Sequence, residues 1–168
     1  MGGMIALRWA EMYPGEISSV FTINSSAKNL STPHERFNLS LWSEVLKILI
    51  TRDMEKKERL ILSITTNMLS PEKIKELGKT FKQVQIDHPV SNKSSFNQLI
   101  AAGKFQVFSK PKVPVHVIYS LKDRLVSPVC SEKLGELLKA QTHIHPEAGH
   151  DLPLDAPEWL LSVLANNI

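Results

Sequence analysis

The sequence contains one cysteine, little net charge and no long apolar run. Because Cys130 has no partner, an internal disulfide is excluded, which agrees with a reducing compartment such as the cytoplasm. No stretch approaches the ~20 apolar residues that cross a bilayer. The first residues also lack the charged and apolar regions of a signal peptide. We therefore expect a cytoplasmic protein without a membrane span.

The charge distribution gives no basis for nucleic-acid binding. The net charge is +3, and the one cluster of basic residues, at 52–59, also contains Asp53, Glu55 and Glu58. Mixed charges of this kind are typical of a solvated helix face. With 168 residues and 42% hydrophobic content, the chain is long enough to bury a core of its own. We expect no nucleic-acid partner.

The chain opens with a helix and then a strand. The stretch "MGGMIALRWAEMYPGE" places Ile5, Trp9 and Met12 at helical spacing from about the second residue, and a Pro-Gly pair ends the helix. The β-branched run around residues 20–24 predicts a buried strand. No strand precedes the helix, so we expect the sequence to begin in the middle of a structural motif.

A long helical region follows. Ser70 and Pro71 form a helix start, with Ser as the N-cap and Pro at the first helical position. A crossover between parallel strands needs only about a dozen residues, so residues 33–108 predict an inserted helical cap over one end of a sheet. Its helices carry three apolar stripes: Trp42, Val45, Leu46 and Leu49; Leu60, Ile64 and Met68; and Phe96, Leu99, Ile100 and Phe105.

The last third alternates strands and helices. Strands are predicted at 115–119 and 142–145, with a helix from Ser127-Pro128 to about residue 139 and another near the end, where Asp155 and Glu158 form a capping box. Alternation of this kind predicts an α/β fold with a parallel sheet covered on both faces. We expect a partial core at 1–32, the cap at 33–108 and the remaining core at 109–168.

Two side chains stand where such a fold carries its chemistry. Functional groups collect at the carboxyl ends of parallel strands, and Asp123 and His150 each follow a predicted strand. A carboxylate on imidazole Nδ1 leaves Nε2 to take a proton from a nucleophile. Gly149 would allow a tight turn beside the histidine. Alone, Asp123 is typical of a turn and His150 of a surface loop, but together they indicate a catalytic pair.

Other reactive side chains have simpler interpretations. Ser25 and Ser26 follow a strand as an ordinary turn, and Cys130 in the first turn of a helix is a buried packing residue rather than a thiol activated by the helix dipole. His143 and His145 share a strand face but lack further ligands at metal-binding spacing. We expect no metal and no cofactor.

The chain resembles the C-terminal part of an α/β-hydrolase-fold enzyme with a helical cap. "MGGMIALRWAEMYPGEISSVFTINSS" resembles the segment after the nucleophile in that family's Gly-x-Ser-x-Gly elbow. "VHVIYSLKDRLVSP" resembles the acid strand and loop, and "HPEAGHDLPLDAPEWL" the histidine loop and final helix. The resemblance covers nearly the whole chain and is weakest in the cap.

The resemblance implies a Ser, acid, His triad in which Asp123 is the acid and His150 the base. Gly2 matches the last glycine of the elbow and Met1 the residue after the serine, so the nucleophile would stand just before Met1. Met1, Gly2 and Gly3 are then remnants of the elbow and oxyanion hole. Small glycines there let the turn pack closely against neighbouring backbone.

Two functional hypotheses remain open. In the first, the chain is part of a hydrolase that cleaves a small apolar carboxylic ester or related acyl bond, with the cap shaping an acyl pocket. In the second, it is a non-catalytic truncated product or an interaction remnant of the fold. Either form would have an open sheet edge through which it could self-associate.

Overall fold

The computed structural model describes residues 1–167, except for the side chain of Asn92. Three parallel strands form one sheet: β1 (Val20–Ile23), β2 (Val115–Ser120) and β3 (Gln141–His145). Their order is β1-β2-β3, with Val20 paired to Val115 and His116 to Gln141. The α/β class and the parallel sheet predicted from the sequence are therefore confirmed, and each strand lies within one residue of its predicted bounds.

Strand β2 forms the centre of the core, and all of its residues are buried. Its alternate side chains enter two separate clusters because successive residues of a strand point to opposite faces. Val115, Val117 and Tyr119 pack on one side with helices α1 (Gly2–Met12) and α7 (Pro128–Leu138). On the other side, Ile118 packs with α8 (Leu152–Asp155) and α9 (Pro157–Ala165). Strand β2 is thus covered on both faces, whereas the residues of β3 are mostly exposed.

A helical segment separates β1 from β2. It begins with α2 (Pro33–Arg36), a 3-10 turn (Leu39–Leu41) and α3 (Trp42–Ile50). It continues with α4 (Met54–Thr65), α5 (Pro71–Asp87) and α6 (Asn92–Lys104). Ser70 caps α5 through the Lys73 N–H and Pro71 is its first residue, as the sequence predicts. Residues 105–108 are not helical, so the helices end before the expected boundary.

The apolar stripes of α3 and α6 and the outer face of α1 are largely exposed within residues 1–167, whereas Ile64 in the α4 stripe is buried. In α1, Leu7 and Ala10 are buried, whereas the predicted stripe lies on the outer face. The exposed apolar side chains include Ile5 (57%), Trp9 (51%), Met12 (58%), Trp42 (62%), Leu49 (67%), Phe96 (63%) and Leu99 (71%). A helical period identifies an apolar face but not its partner, and these faces have no partner in the described part of the chain.

We predict that the purified 168-residue chain binds a hydrophobic dye and self-associates. The exposed apolar side chains and the unpaired edge of β1 both favour association. Ile5→Lys should reduce dye binding without loss of thermal stability, because Ile5 is exposed. The matched variant Leu7→Lys, on the buried face of the same helix, should unfold the protein. Size-exclusion chromatography with light scattering, dye fluorescence and thermal melts measure this. A monomer that binds no dye would contradict the prediction.

Candidate active site

The Asp123 and His150 side chains meet at the carboxyl ends of β2 and β3. The imidazole Nδ1 of His150 lies 2.7 Å from Oδ2 of Asp123. The Asp123 side chain is 2% exposed, whereas that of His150 is 30% exposed. The buried carboxylate therefore accepts the ring N–H and sets the tautomer, and the accessible part of the ring is left for a reacting group.

The second oxygen of Asp123 holds the acid in position. Its Oδ1 accepts the backbone N–H groups of Leu125 at 2.8 Å and Val126 at 3.0 Å. A short Asp side chain bonded to the backbone two and three residues ahead is an Asx-type turn, which explains why this loop follows the strand directly. One oxygen of the Asp123 carboxylate thus holds the turn, and the other contacts the His150 imidazole.

Asn24 joins the ends of β1 and β2 to the histidine loop, and sequence reasoning missed it. Its Oδ1 accepts the Ser120 N–H at 2.9 Å, and its Nδ2 donates to the His150 carbonyl at 2.7 Å and the Gly149 carbonyl at 3.3 Å. Its φ of 44° lies in the left-handed region, which Asn tolerates better than most residues. An Asn directly after a β-branched run was the available signal. Asn24 therefore fixes the backbone of the histidine loop.

Asp155 does not form the predicted capping box with Glu158. It ends α8, and the N-cap of α9 is Ala156. Instead, the buried Asp155 carboxylate accepts three backbone N–H groups: Asn67 at 2.8 Å, Met68 at 2.9 Å and Gly149 at 2.6 Å. The spacing of the two acids matched a helix start, but burial beside three donors gave the carboxylate a stronger set of partners. Asp155 therefore links the histidine loop to the segment after α4.

Gly149 is needed for close packing. Its φ is not positive, so its backbone conformation alone does not require a glycine. A Cβ there would lie 2.6 Å from the Thr65 carbonyl oxygen, 3.1 Å from Thr66 Cα and 3.2 Å from Asn67 N. Only a glycine lets the histidine loop approach this backbone.

The end of α4 and the residues that follow it are also hydrogen-bonded to the loop that carries Asp123. A guanidinium nitrogen of Arg124 donates to the Ser63 carbonyl at 2.7 Å and the Thr66 carbonyl at 2.8 Å. The Asn67 amide donates to the carbonyls of Lys122 at 2.9 Å and Glu147 at 3.2 Å. The end of α4 is thus fastened to both loops that carry the Asp-His pair, which restricts their motion relative to each other.

A cavity of about 700 Å³ opens beside the pair and is lined by His150, Met1, Ser25 and Ser26 among others. Met1 and His150 therefore line the same cavity. A Cβ at Gly3 would lie 2.5 Å from Ser25 Oγ, whereas a Cβ at Gly2 would meet no atom within 4 Å. Gly3 therefore packs against the Ser25 side chain, and its nearest backbone atom, Thr22 Cα, would lie 3.4 Å from that Cβ.

The remaining nucleophile candidates are engaged elsewhere. Ser25 Oγ donates to the Ile23 carbonyl at 3.1 Å, and Ser26 Oγ accepts from Arg36 Nε at 3.2 Å. Cys130 is fully buried, and burial raises the pKa of its thiol, so the helix does not activate it. Within residues 1–167 no side chain forms a hydrogen bond with Nε2 of His150.

The other histidines form structural contacts. His116 Nδ1 lies 3.3 Å from His143 Nε2, and burial lowers the pKa of both rings, so they remain neutral at neutral pH. His145 accepts the backbone N–H of Ala148 at 2.9 Å and packs edge-on against Trp159. Among residues 1–167, no group of three His, Cys, Asp or Glu side chains is arranged to bind a metal.

The fold and the strand-end pair define a hydrolase-type scaffold, and sequence comparison agrees. A profile of the alpha/beta hydrolase fold matches residues 1–157. The chain therefore belongs to the alpha/beta hydrolase fold family. In the described residues, no helix is long and apolar enough to cross a membrane.

Individual relatives are distant. Lipase 3 of Moraxella sp. (strain TA144) is 23% identical over 156 residues, which cover 89% of this chain and 48% of the lipase. A bacterial membrane phospholipase A superposes with a TM-score of 0.70 at 18% identity, covering 98% of this chain and 53% of that one. The meta-cleavage product hydrolase of Pseudomonas fluorescens IP01 gives 0.72 at 17% identity, with 98% and 60% covered. The chain thus spans about half the length of such relatives.

We predict that Asp155→Asn lowers the free energy of unfolding by about 2–3 kcal/mol, because a neutral amide replaces a buried carboxylate that accepts three N–H groups. Glu158→Gln is the matched control and should change it by no more than about 0.5 kcal/mol. Urea denaturation measures both variants. Equal losses would favour the capping-box interpretation over the observed contacts.

Asp151→Asn should stabilise the protein at neutral pH. Burial raises the pKa of the Asp151 carboxyl above its ordinary 3.8, and the Asp155 charge adds to this while His150 opposes it. Folding therefore disfavours the ionised form, so the wild type loses stability as pH rises above that ordinary value, and the gain in the variant should shrink as pH falls toward it. Urea denaturation between pH 4 and pH 7 tests the trend.

Asp53→Asn is a control that should change the free energy of unfolding in the opposite direction. Its carboxylate accepts the Lys56 N–H at 3.0 Å, and this hydrogen bond lowers the pKa of the Asp53 carboxyl. The wild-type ion is thus favoured in the folded state above the ordinary pKa, so this variant should lose stability at neutral pH and not gain it. A gain from Asp151→Asn that does not depend on pH would contradict the assignment to ionisation.

Proposed function

We propose that this chain carries the acid and base of a hydrolase that cleaves a carboxylic ester or related acyl bond. The observation that carries the proposal is the 2.7 Å contact between a buried Asp123 carboxylate and a half-exposed His150 imidazole at one wall of a 700 Å³ cavity. Membership in the alpha/beta hydrolase fold family and the named lipase relative support this reaction class. Residues 33–108 act as the cap over this cavity.

The proposed chemistry requires a serine hydroxyl at Nε2 of His150. The imidazole accepts the hydroxyl proton as the serine oxygen attacks the substrate carbonyl, and it then donates that proton to the departing alkoxide. Asp123 stabilises the imidazolium and keeps Nδ1 protonated. Water then attacks the acyl-enzyme with the same histidine as base, which releases the acid and restores the serine.

In the family the serine is in the Gly-x-Ser-x-Gly elbow, and its place corresponds to the position just before Met1. The cheapest test is the coding sequence upstream of the Met1 codon. An open frame that contains Gly-x-Ser supports the hydrolase, whereas a stop codon directly upstream supports the non-catalytic alternative.

We predict that the isolated 168-residue chain hydrolyses no short-chain aryl ester and is not labelled by a fluorophosphonate probe, because Ser25 and Ser26 are engaged in other hydrogen bonds. With the elbow serine included in the expressed protein, turnover should appear. Asp123→Asn and His150→Gln should then each reduce kcat by roughly 10³–10⁴-fold. Stopped-flow or plate assays with the aryl ester measure this.

His88→Gln is the matched control, because His88 is exposed at the end of α5 and does not line the cavity. It should leave kcat unchanged. Stoichiometric labelling of Ser25 or Ser26 in the isolated chain would identify a different nucleophile and overturn the proposed triad. Full activity of His150→Gln in the longer protein would exclude His150 as the base.

A further inference from the structure

Among the described residues, two cationic residues and no acidic residue line the cavity beside His150. Arg36 and Lys28 both line it, and among the described residues of its wall there is no Asp or Glu. Elsewhere in the chain the charges are better balanced, since the net charge is only +3. An unbalanced pair of cations at the wall of a half-enclosed space attracts an anion, because field lines concentrate in a concave site.

Arg36 has only neutral hydrogen-bond partners. Its Nε donates to Ser26 Oγ at 3.2 Å, and its terminal nitrogens donate to the carbonyls of Gly103 at 3.1 Å and Ala102 at 2.5 Å. A guanidinium has five N–H groups, so these contacts leave two for another acceptor. Within the described residues, Arg36 forms no salt bridge.

The acidic neighbours do not neutralise this charge. Glu35, next in sequence, is bonded to Lys133 at 2.7 Å, and this bond lowers the pKa of the Glu35 carboxyl. The Cys130 thiol is buried with a raised pKa, so it carries no charge at neutral pH. Burial lowers the pKa of Arg36, but an arginine stays protonated in proteins. Within the part of the chain that the structure describes, the guanidinium is therefore a charged, half-buried group without a counter-ion.

A structural role accounts for part of this arrangement. The two carbonyls bonded to Arg36 belong to the last turn of α6, where a cation satisfies free carbonyls and the helix dipole. That role does not need Lys28, whose ammonium forms no hydrogen bond within the described residues and whose side chain is exposed. The second cation at the same wall is what points to a ligand.

We propose that this cavity selects acyl substrates that carry a carboxylate away from the reacting carbonyl, with Arg36 and Lys28 as the residues that bind it. A monoester of a dicarboxylic acid is the simplest compound of this class. The proposal deepens the proposed function, because the reacting carbonyl would lie at His150. The planar guanidinium suits a carboxylate, and the ammonium adds a second positive charge.

The test measures the binding of two esters and not their hydrolysis, so it does not require a nucleophile. Monomethyl glutarate and dimethyl glutarate share a shape and differ in one charge, and titration calorimetry on the folded 168-residue chain compares them. We expect the monoester to bind about tenfold more tightly, with a preference that falls as salt is added. Equal binding of the two esters, or no binding of either at millimolar concentration, would overturn the proposal.

Single substitutions identify the residues that cause the preference for the monoester over the diester. Arg36→Gln and Lys28→Gln should each reduce it, whereas Arg52→Gln, an exposed arginine outside the cavity wall, should leave it unchanged. Because Arg36→Gln also removes contacts to α6, circular dichroism checks its fold, and Lys28→Gln tests the proposal without that complication. Equal losses in Arg52→Gln would mean unspecific attraction and contradict the proposal.

Two further variants separate this proposal from the hydrolase. Asp123→Asn should reduce the kcat of the longer protein by roughly 10³–10⁴-fold while leaving the monoester preference of the isolated chain intact. If His150→Gln removes the preference and Arg36→Gln does not, the carboxylate sits at the imidazole, and the proposed binding residues are wrong. A failed activity test with an intact preference would reject the hydrolase but keep the anion site.

Discussion

The geometry of the site depends on the buried Asp155 carboxylate and its three backbone donors. A buried charge is costly unless it is fully hydrogen-bonded, so the donors must stay in place. One of them is Gly149, beside His150, and the other two, Asn67 and Met68, follow α4. The same constraint therefore orders the histidine loop and attaches the helical segment to the sheet.

Around this anchor, the side chains of Asp123 and Asn24 hold the His150 ring and its backbone in place. Asp123 uses Oδ1 for its own loop and Oδ2 for the imidazole. Both polar atoms of the Asn24 amide bond to backbone: Oδ1 accepts the Ser120 N–H, and Nδ2 donates to the His150 carbonyl. Asp123 thus holds the ring of His150 while Asn24 holds its backbone. Because both contacts exist in the protein alone, less conformational entropy would be lost when a ligand binds.

The sequence predicted the parts of the fold that periodicity and local chemistry encode. The three strands, the start of α1, the cap of α5 and the pair Asp123 and His150 all follow from short-range patterns. The partners of Asp155 and Asn24 did not, because their donors and acceptors are remote in sequence and only the folded chain brings them together. The stripes of α3 and α6 were read correctly as apolar, but periodicity carries no information about what covers them.

The helical segment between β1 and β2 also has a consequence for the rate of folding. The Asn24 amide and the Ser120 N–H that it accepts are 96 positions apart, and the β1–β2 pairing closes a loop of similar size. Closing so large a loop costs entropy before any pairing energy is recovered, so the high contact order predicts slow folding. The helices can form locally first, and the strand ends that carry the Asp-His pair would be assembled in the last and slowest step.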